Sequence, residues 1–271
     1  MNNRIPTPHD IQRYRPTRLI DFVGCEQAKS VLADLIRADG DSMNTIITGD
    51  TGTGKFAMIE ACLRTRNCPY SAGPLLGPCG VCADCLAFDF ENEDTGCFVI
   101  GRIKTNLFGS VVTHFYNVDC CHLGAAEIRK LANDISWHGK DRSIVFLDET
   151  QDLGDGKRDR FLLTKMIKLN AIWIAAGTTT DGLSPTFVRR FACRCVTTLP
   201  TAAALASYLV QRCEAWKIAY DCPETFGLLV ERSQLRTAEC IAVLARAASR
   251  EGRRLDKQLV MDHPFITGVT R

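Results

Sequence analysis

The chain of 271 residues has a formal net charge of +2 with 24% charged residues, so no charge excess points to a nucleic acid or a membrane, and any basic surface has to be local. That length allows a sizeable core in one large or two modest domains. No apolar run approaches the roughly 18 residues of a membrane-crossing helix, and Met1-Asn2-Asn3-Arg4 is not followed by a secretory apolar region, which predicts a cytosolic protein. Fourteen cysteines in such a chain read as metal ligands or buried small hydrophobes rather than as a disulfide framework.

The first sixteen residues are polar and hold three of the ten prolines, which predicts an extended arm ending in Tyr14-Arg15-Pro16. Leu19 to Gly24 leads into a helix from about Glu26 to Ala38, where Ala28, Val31, Leu32, Leu35 and Ile36 recur at helical spacing. Asp39-Gly40-Asp41-Ser42 stops it. Asn44 to Thr48 reads as a buried strand and Lys55 to Leu63 as a helix, so the glycine-rich turn Gly49-Asp-Thr-Gly-Thr-Gly-Lys-Phe56 sits where strand passes to helix. That is the setting of a phosphate-binding loop. Glycines let successive N–H groups and the helix N-terminus face a polyphosphate, and Lys55 is placed to reach the terminal phosphates. The motif calls next for a Ser or Thr hydroxyl on Mg²⁺, and Phe56 stands there instead.

Cys68 and the run Cys79-x₂-Cys82-x₂-Cys85 follow across a Pro/Gly-rich loop, and four thiolates so spaced can converge on one tetrahedral ion. Zn²⁺ is the first choice; an iron–sulfur cluster is the alternative, although the usual following C-x₃-C-P is missing. Cys62, on the preceding helix, reads as core. The acidic run from Phe88 to Asp94 and two strand-like stretches around Gly109 predict a small hairpin insertion over about 86–114, of no evident purpose.

Phe115 to Asp119 reads as a core strand, followed by a helix at about Ala125 to Ile135. Arg129 and Lys130 near its start read as solvated charge, with contact to phosphate backbone as the functional alternative. Ser143 to Leu147 is an apolar strand ending in Asp148-Glu149. An aspartate there can hold hydrated Mg²⁺ while its glutamate neighbour orients or deprotonates an attacking water. A helix closing over Lys165 to Leu169 leads to a buried strand at Ala171 to Ala176, capped by Thr178-Thr179-Thr180-Asp181, where a hydroxyl can sense the γ-phosphate. Arg189 and Arg190 end a short helix; in a ring of subunits one of them can reach a neighbour's nucleotide. From Leu199 the pattern changes to three helices, Ala202 to Trp216, Glu224 to Arg232 and Thr237 to Arg250, with Arg236 placed to fold back toward a nucleotide.

Taken together, these landmarks resemble the AAA+ ATPases of sliding-clamp loaders, closest to the bacterial DNA polymerase III γ/τ and δ′ type. The motifs that carry the likeness run from Tyr14-Arg15-Pro16 and Phe22-Val23-Gly24 through the phosphate loop, the cysteine module, Asp148-Glu149, Thr179-Thr180-Asp181 and Thr186-x₃-Arg190 to Leu235-Arg236. The resemblance implies an α/β AAA+ P-loop fold: a parallel sheet flanked by helices, an inserted zinc-binding module and a small all-α lid. The expected division is a nucleotide-binding domain over 1–196 with the zinc module at 62–90, a lid over 197–262 and a tail over 263–271. It implies ATP with Mg²⁺ in a site built from Arg15, Pro16, Val23, Gly24, Gly49, Thr51, Gly52, Thr53, Gly54, Lys55, Phe56 and Arg236. Zinc falls to Cys68, Cys79, Cys82 and Cys85, and magnesium to Asp148. Asp148, Glu149, Lys55 and Thr179 take the catalytic roles, with Arg190 acting in trans. Expected partners are other AAA+ subunits in a ring or spiral, DNA, and a sliding clamp or a helicase, in a bacterial or phage cytoplasm.

Three departures qualify that expectation. Phe56 replaces the hydroxyl, Arg189-Arg190-Phe191 stands for Ser-Arg-Cys, and Asp148-Glu149-Thr150-Gln151 for Asp-Glu-Ala-His. Only Met261 to Arg271 stand where a loader's collar domain begins, so the collar comes from another chain or the assembly differs. The other readings are an ATP-binding subunit that scarcely hydrolyses, and a helicase loader or transposition regulator.

Overall fold

The computed structural model describes residues 16–37, 44–83, 85, 98–105, 111–137, 142–154, 156–250 and 254–263. The expected arm up to Arg15, the whole acidic stretch from Phe88 to Asp94 and the tail after His263 lie outside them.

Apolar runs too short for helices and without polar alternation belong to strands covered on both faces. They assemble here into one six-stranded sheet. In chain order the elements are α1 (Glu26–Arg37), β1 (Thr45–Gly49), α2 (Lys55–Asn67), β2 (Phe98–Thr105), β3 (Val111–Asp119), α3 (Ala125–Trp137), β4 (Arg142–Asp148), α4 (Arg158–Met166), β5 (Ala171–Gly177), α5 (Pro185–Val188) and β6 (Cys193–Thr197). Spatially the strands run β2-β3-β4-β5-β1-β6. All neighbours pair in parallel except β2 with β3, so the order jumps at β1, which lies between β5 and β6.

The pleat sorts the strand residues into two layers. Ile47, Phe115, Ile144, Phe146, Ile172, Ile174 and Ala176 pack with α1 and α2 through Leu32, Leu35, Met58 and Ile59. Their neighbours Ile46, Tyr116, Val145, Leu147, Trp173 and Ala175 pack with α3 and α4 through Ile128, Leu131 and Leu162. Asn44 ties the foot of β1 to both neighbours: its Oδ1 accepts the Trp173 N–H at 3.0 Å and its carbonyl accepts the Cys193 N–H at 3.2 Å.

Several boundaries differ from the sequence reading. The expected insertion and the expected core strand are one device: β2 and β3 form an antiparallel hairpin with Phe98 opposite Val118, and β3 runs on into the sheet beside β4. The helix expected to close over Lys165 to Leu169 ends at Met166, and β6 was not foreseen. Its alternation of Cys195 and Thr197, buried, with Arg194 and Val196, exposed, is the signature of a half-covered strand next to β1.

Beyond β6, α6 (Ala202–Trp216), α7 (Glu224–Arg232), α8 (Thr237–Ala248) and α9 (Lys257–Met261) gather a hydrophobic cluster of their own around Leu209, Phe226, Leu229, Leu244 and Leu259. The helices are joined by a two-stranded parallel ladder, β7 (Ala219–Tyr220) with β8 (Arg254–Leu255), where only helices were expected. Thr201 caps α6 by accepting the Ala204 N–H at 3.2 Å, and Asp256 caps α9 by accepting from Leu259 at 2.7 Å.

Trp173 is 1% exposed at the centre of the sheet. Trp173→Ala is expected to cost about 3–5 kcal/mol through lost burial and the cavity left behind, read as a lowered urea midpoint at unchanged slope.

Candidate functional site

The carboxyl ends of parallel strands leave their loops at one edge, and a cleft forms there where the strand order jumps. It has a volume of about 280 Å³. Thr51 to Ala57 form its floor, Asp148 and Glu149 one wall, Pro16, Phe22 and Val23 a second, and Tyr208, Thr237, Ala238 and Ile241 of the helical unit the third.

The floor is built by conformations that side chains resist. Gly52 and Gly54 adopt φ of 86° and 85°, and Gly54 is the residue from which α2 starts. The turn thereby aims its amides and the positive end of a thirteen-residue helix into the cleft. Lys55 Nζ donates to the carbonyls of Gly49 at 2.7 Å and Asp50 at 3.0 Å. Burial lowers its pKa, opposed by the nearby charges of Glu149 and Asp148. Burial likewise raises the Asp148 carboxyl, which accepts the Glu149 N–H at 3.0 Å. A half-buried ammonium facing two carboxylates is a site that a triphosphate with a divalent cation would neutralise.

Phe56 does more than omit a hydroxyl. Its ring lines the cleft and packs on the core, with its centroid 5.5 Å from that of Phe146. The Thr53 hydroxyl is already engaged, 2.8 Å from the Asp50 carbonyl and 2.7 Å from Thr197 Oγ1. Asp148 and Glu149 are therefore the groups at this end of the cleft fitted to hold a cation.

Arg236 reaches the loop: a β-carbon at Gly52 would lie 3.1 Å from its Cγ, so its stem crosses directly over the turn, while Nη1 pairs with Glu239 at 3.3 Å. The helical unit is anchored to the wall at Asp21, which accepts from Arg18 at 2.6 and 2.8 Å and from Arg212 at 3.2 Å. Arg212 also lies 4.9 Å from the Tyr208 ring. Of the other residues singled out in the sequence, Gly24 packs near Pro200, and Thr179 accepts the Asp181 N–H at 3.1 Å within its own turn. Arg190 is exposed after α5, away from its own chain's cleft. Arg129 lies 5.4 Å from the Phe161 ring centroid on the outer surface of α3.

Sequence reasoning missed Ala57 on the cleft floor and Phe22, Tyr208, Thr237, Ala238 and Ile241 in its walls. The last four, on α6 and α8, share the helical spacing of core residues, and nothing in one helix tells a core face from a ligand face. Gln151 was also missed. Its Nε2 donates to Glu149 Oε2 at 2.7 Å, and its Oε1 accepts the Thr178 N–H at 3.0 Å.

The four cysteines after α2 converge, with all sulfurs within 4.8 Å of one another, Cys68 to Cys82 at 4.0 Å and Cys79 to Cys85 at 3.8 Å. Sulfurs about 2.3 Å from a tetrahedral centre stand roughly 3.8 Å apart, so the set fits one ion. Backbone N–H groups of Cys79, Cys82 and Cys85 donate to the sulfurs of Cys68, Cys79 and Cys82. Donors from Val81 and Cys82 bring the Cys79 thiol down to about 6, whereas burial, then hydrogen bonding to Cys82, pushes Cys85 up to about 12. Four thiols this close cannot all ionise without a cation among them, which is the condition a metal relieves. The module rests on the segment before α1: Ile20 N–H donates to the Leu75 carbonyl at 3.2 Å, and a β-carbon at Gly77 would meet Arg18 Cγ at 2.4 Å.

Parallel sheet, glycine loop at the strand-order jump, acidic strand end and helical unit over the cleft define an AAA+ fold. No family profile matches the chain. Among solved structures it is similar to the Thermotoga maritima RuvB Holliday junction branch migration motor, with a TM-score of 0.61 over 92% of this chain and 71% of that one. The identity is 14%, so that likeness carries the fold alone. In sequence, 51 residues are 43% identical to replication factor C subunit 2 of Arabidopsis thaliana, and 71 residues are 31% identical to DNA polymerase III subunit gamma/tau of Mycoplasma pneumoniae. The matched stretches span 15% and 10% of those relatives. The chain thus has an AAA+ fold and is similar, over these two short stretches, to subunits of clamp loaders. Among the described residues no helix is long and apolar enough to cross a membrane.

If the cysteine set is a metal centre, purified protein carries about one ion per chain and Cys82→Ser abolishes its retention. Thiolates bind and thiols do not, so retention falls as pH is lowered and protons compete with the ion for the four sulfurs. Metal content after dialysis against a series of falling pH checks both.

Proposed function

We propose that the chain binds ATP with Mg²⁺ in this cleft and works as a clamp-loader-like ATPase in an oligomer acting on DNA. The observation that carries the reading is the convergence of Lys55, Asp148, Glu149 and Arg236 on one glycine loop beneath a helical lid. In it the amides from Thr51 to Phe56, with Gly49 at the base of the turn, cradle the phosphates, and Lys55 leaves its carbonyl partners for the terminal phosphate. Pro16, Val23 and Gly24 border the base, with Phe22, Tyr208 and Ile241 completing its apolar wall. Asp148 holds the hydrated cation, and Glu149 takes a proton from the attacking water. Thr179 and Arg236 read the γ-phosphate from two sides, so that hydrolysis changes how the lid, taken as 197–262, sits on the nucleotide domain, 1–196. Arg190, exposed after α5, serves the neighbouring subunit's site. Zinc in the cysteine set staples a loop with little core of its own. Arg190's exposure and the two short sequence likenesses support an oligomer on DNA, with a sliding clamp as the cargo; a helicase in that place is the variant.

Phe56 supports a second reading, a subunit that holds ATP and hydrolyses it poorly, because an apolar ring occupies the place of a metal ligand. Turnover with and without primed DNA and a sliding clamp separates the two. The loader reading expects both ligands to raise kcat and Glu149→Gln to lower it about 100-fold or more. Basal turnover indifferent to DNA and clamp removes the loading role. Phe56→Thr restores one oxygen ligand and is expected to raise Mg²⁺-dependent turnover roughly tenfold, the effect of about 1.4 kcal/mol on a barrier.

A further inference from the structure

The loop after β4 is fastened to the end of β5 by side chains that the phosphate chemistry does not itself require. Thr150, fully buried, donates to the Ala176 carbonyl at 3.0 Å. The Gln151 amide spans the other gap, donating to Glu149 Oε2 at 2.7 Å and accepting the Thr178 N–H at 3.0 Å. Gly177 makes this approach possible: a β-carbon there would lie 2.7 Å from both Gln151 Oε1 and Thr150 Oγ1. The backbone of Glu149 is itself held left-handed, at φ 51° and ψ 47°, a conformation that a non-glycine residue keeps only when its surroundings impose it.

We infer that Gln151 is a positioning residue for Glu149 and the link by which the Thr178–Asp181 turn sets that carboxylate's place. The inference rests on the ATPase reading above and names how its water-activating group is held. One carboxylate oxygen is fixed by the amide, leaving the other for a water in the cleft that Glu149 lines. The same amide is anchored to the main chain next to Thr179, so displacement of that turn by the γ-phosphate moves Glu149 with it. An amide suits this position because it donates at one end and accepts at the other. Misplacing a catalytic group by about 1 Å costs up to roughly 100-fold in rate, whereas groups that only grip the phosphates are unaffected.

The test uses the full chain with ATP, measuring nucleotide affinity, KM and kcat for the wild type, Glu149→Gln, Gln151→Met, Gln151→Glu and Gly177→Ala. Gln151→Met keeps the side chain's length and removes both hydrogen bonds. Gln151→Glu keeps the acceptor for Thr178 but sets a second carboxylate against Glu149. Expected is a loss of kcat of about 10- to 100-fold in both, with affinity and KM near wild type, and a similar loss in Gly177→Ala, where Gln151 is intact but displaced. Wild-type kcat in both Gln151 variants, while Glu149→Gln is inactive, overturns this inference and leaves the ATPase standing. So does wild-type kcat in Gln151→Glu alone, because the Thr178 bond would then be the one that matters. No turnover by the wild type, or none lost in Glu149→Gln, overturns the ATPase reading and this inference with it.

Discussion

The parallel pairing of β1 between β5 and β6 is the constraint on which the rest depends. It brings Thr48 opposite Gly177 on one side and Gly49 opposite Thr197 on the other, so three strand ends leave the sheet together. The approach is close: a β-carbon at Gly49 would lie 2.2 Å from the Thr197 carbonyl oxygen. Only a residue without one lets β1 release its loop at that height, and the loop's height decides whether its amides face the acidic end of β4.

Charge in the cleft follows from this geometry. Lys55 and Asp148 are each half-buried or more, and burial works against the charged form of both, pulling the lysine down and pushing the aspartate up. Each partly offsets the other. What remains is a small set of opposed charges, one ammonium and two carboxylates, gathered at the mouth of one glycine loop.

Two attachments keep the surrounding units in register with the cleft. Asp21 gathers Arg18 from its own turn and Arg212 from α6, joining the helical unit to the segment that borders the cleft. The same Arg18 fills the space beside Gly77 in the cysteine loop. One short stretch before α1 therefore touches the helical unit, the cleft wall and the cysteine loop. The helical unit is thus linked to the cysteine loop through Arg212, Asp21 and Arg18, side chains that read in sequence as surface charge.

The sequence by itself determined the elements whose signals are local: the glycine loop between strand and helix, the apolar strand ending in Asp148-Glu149, the cysteine spacing and the three long helices of the C-terminal third. Each of these is written in a contiguous stretch, because period, turn chemistry and ligand spacing act over a few residues. Tertiary structure alone decided that the supposed insertion is the antiparallel edge of the main sheet, and that β6 completes its other edge. It also decided that Tyr208 and Ile241 close the cleft and that Gln151 bridges Glu149 to Thr178. Those outcomes depend on residues far apart in the chain, and a side chain's period along its own helix or strand says which face it occupies without saying what that face will meet.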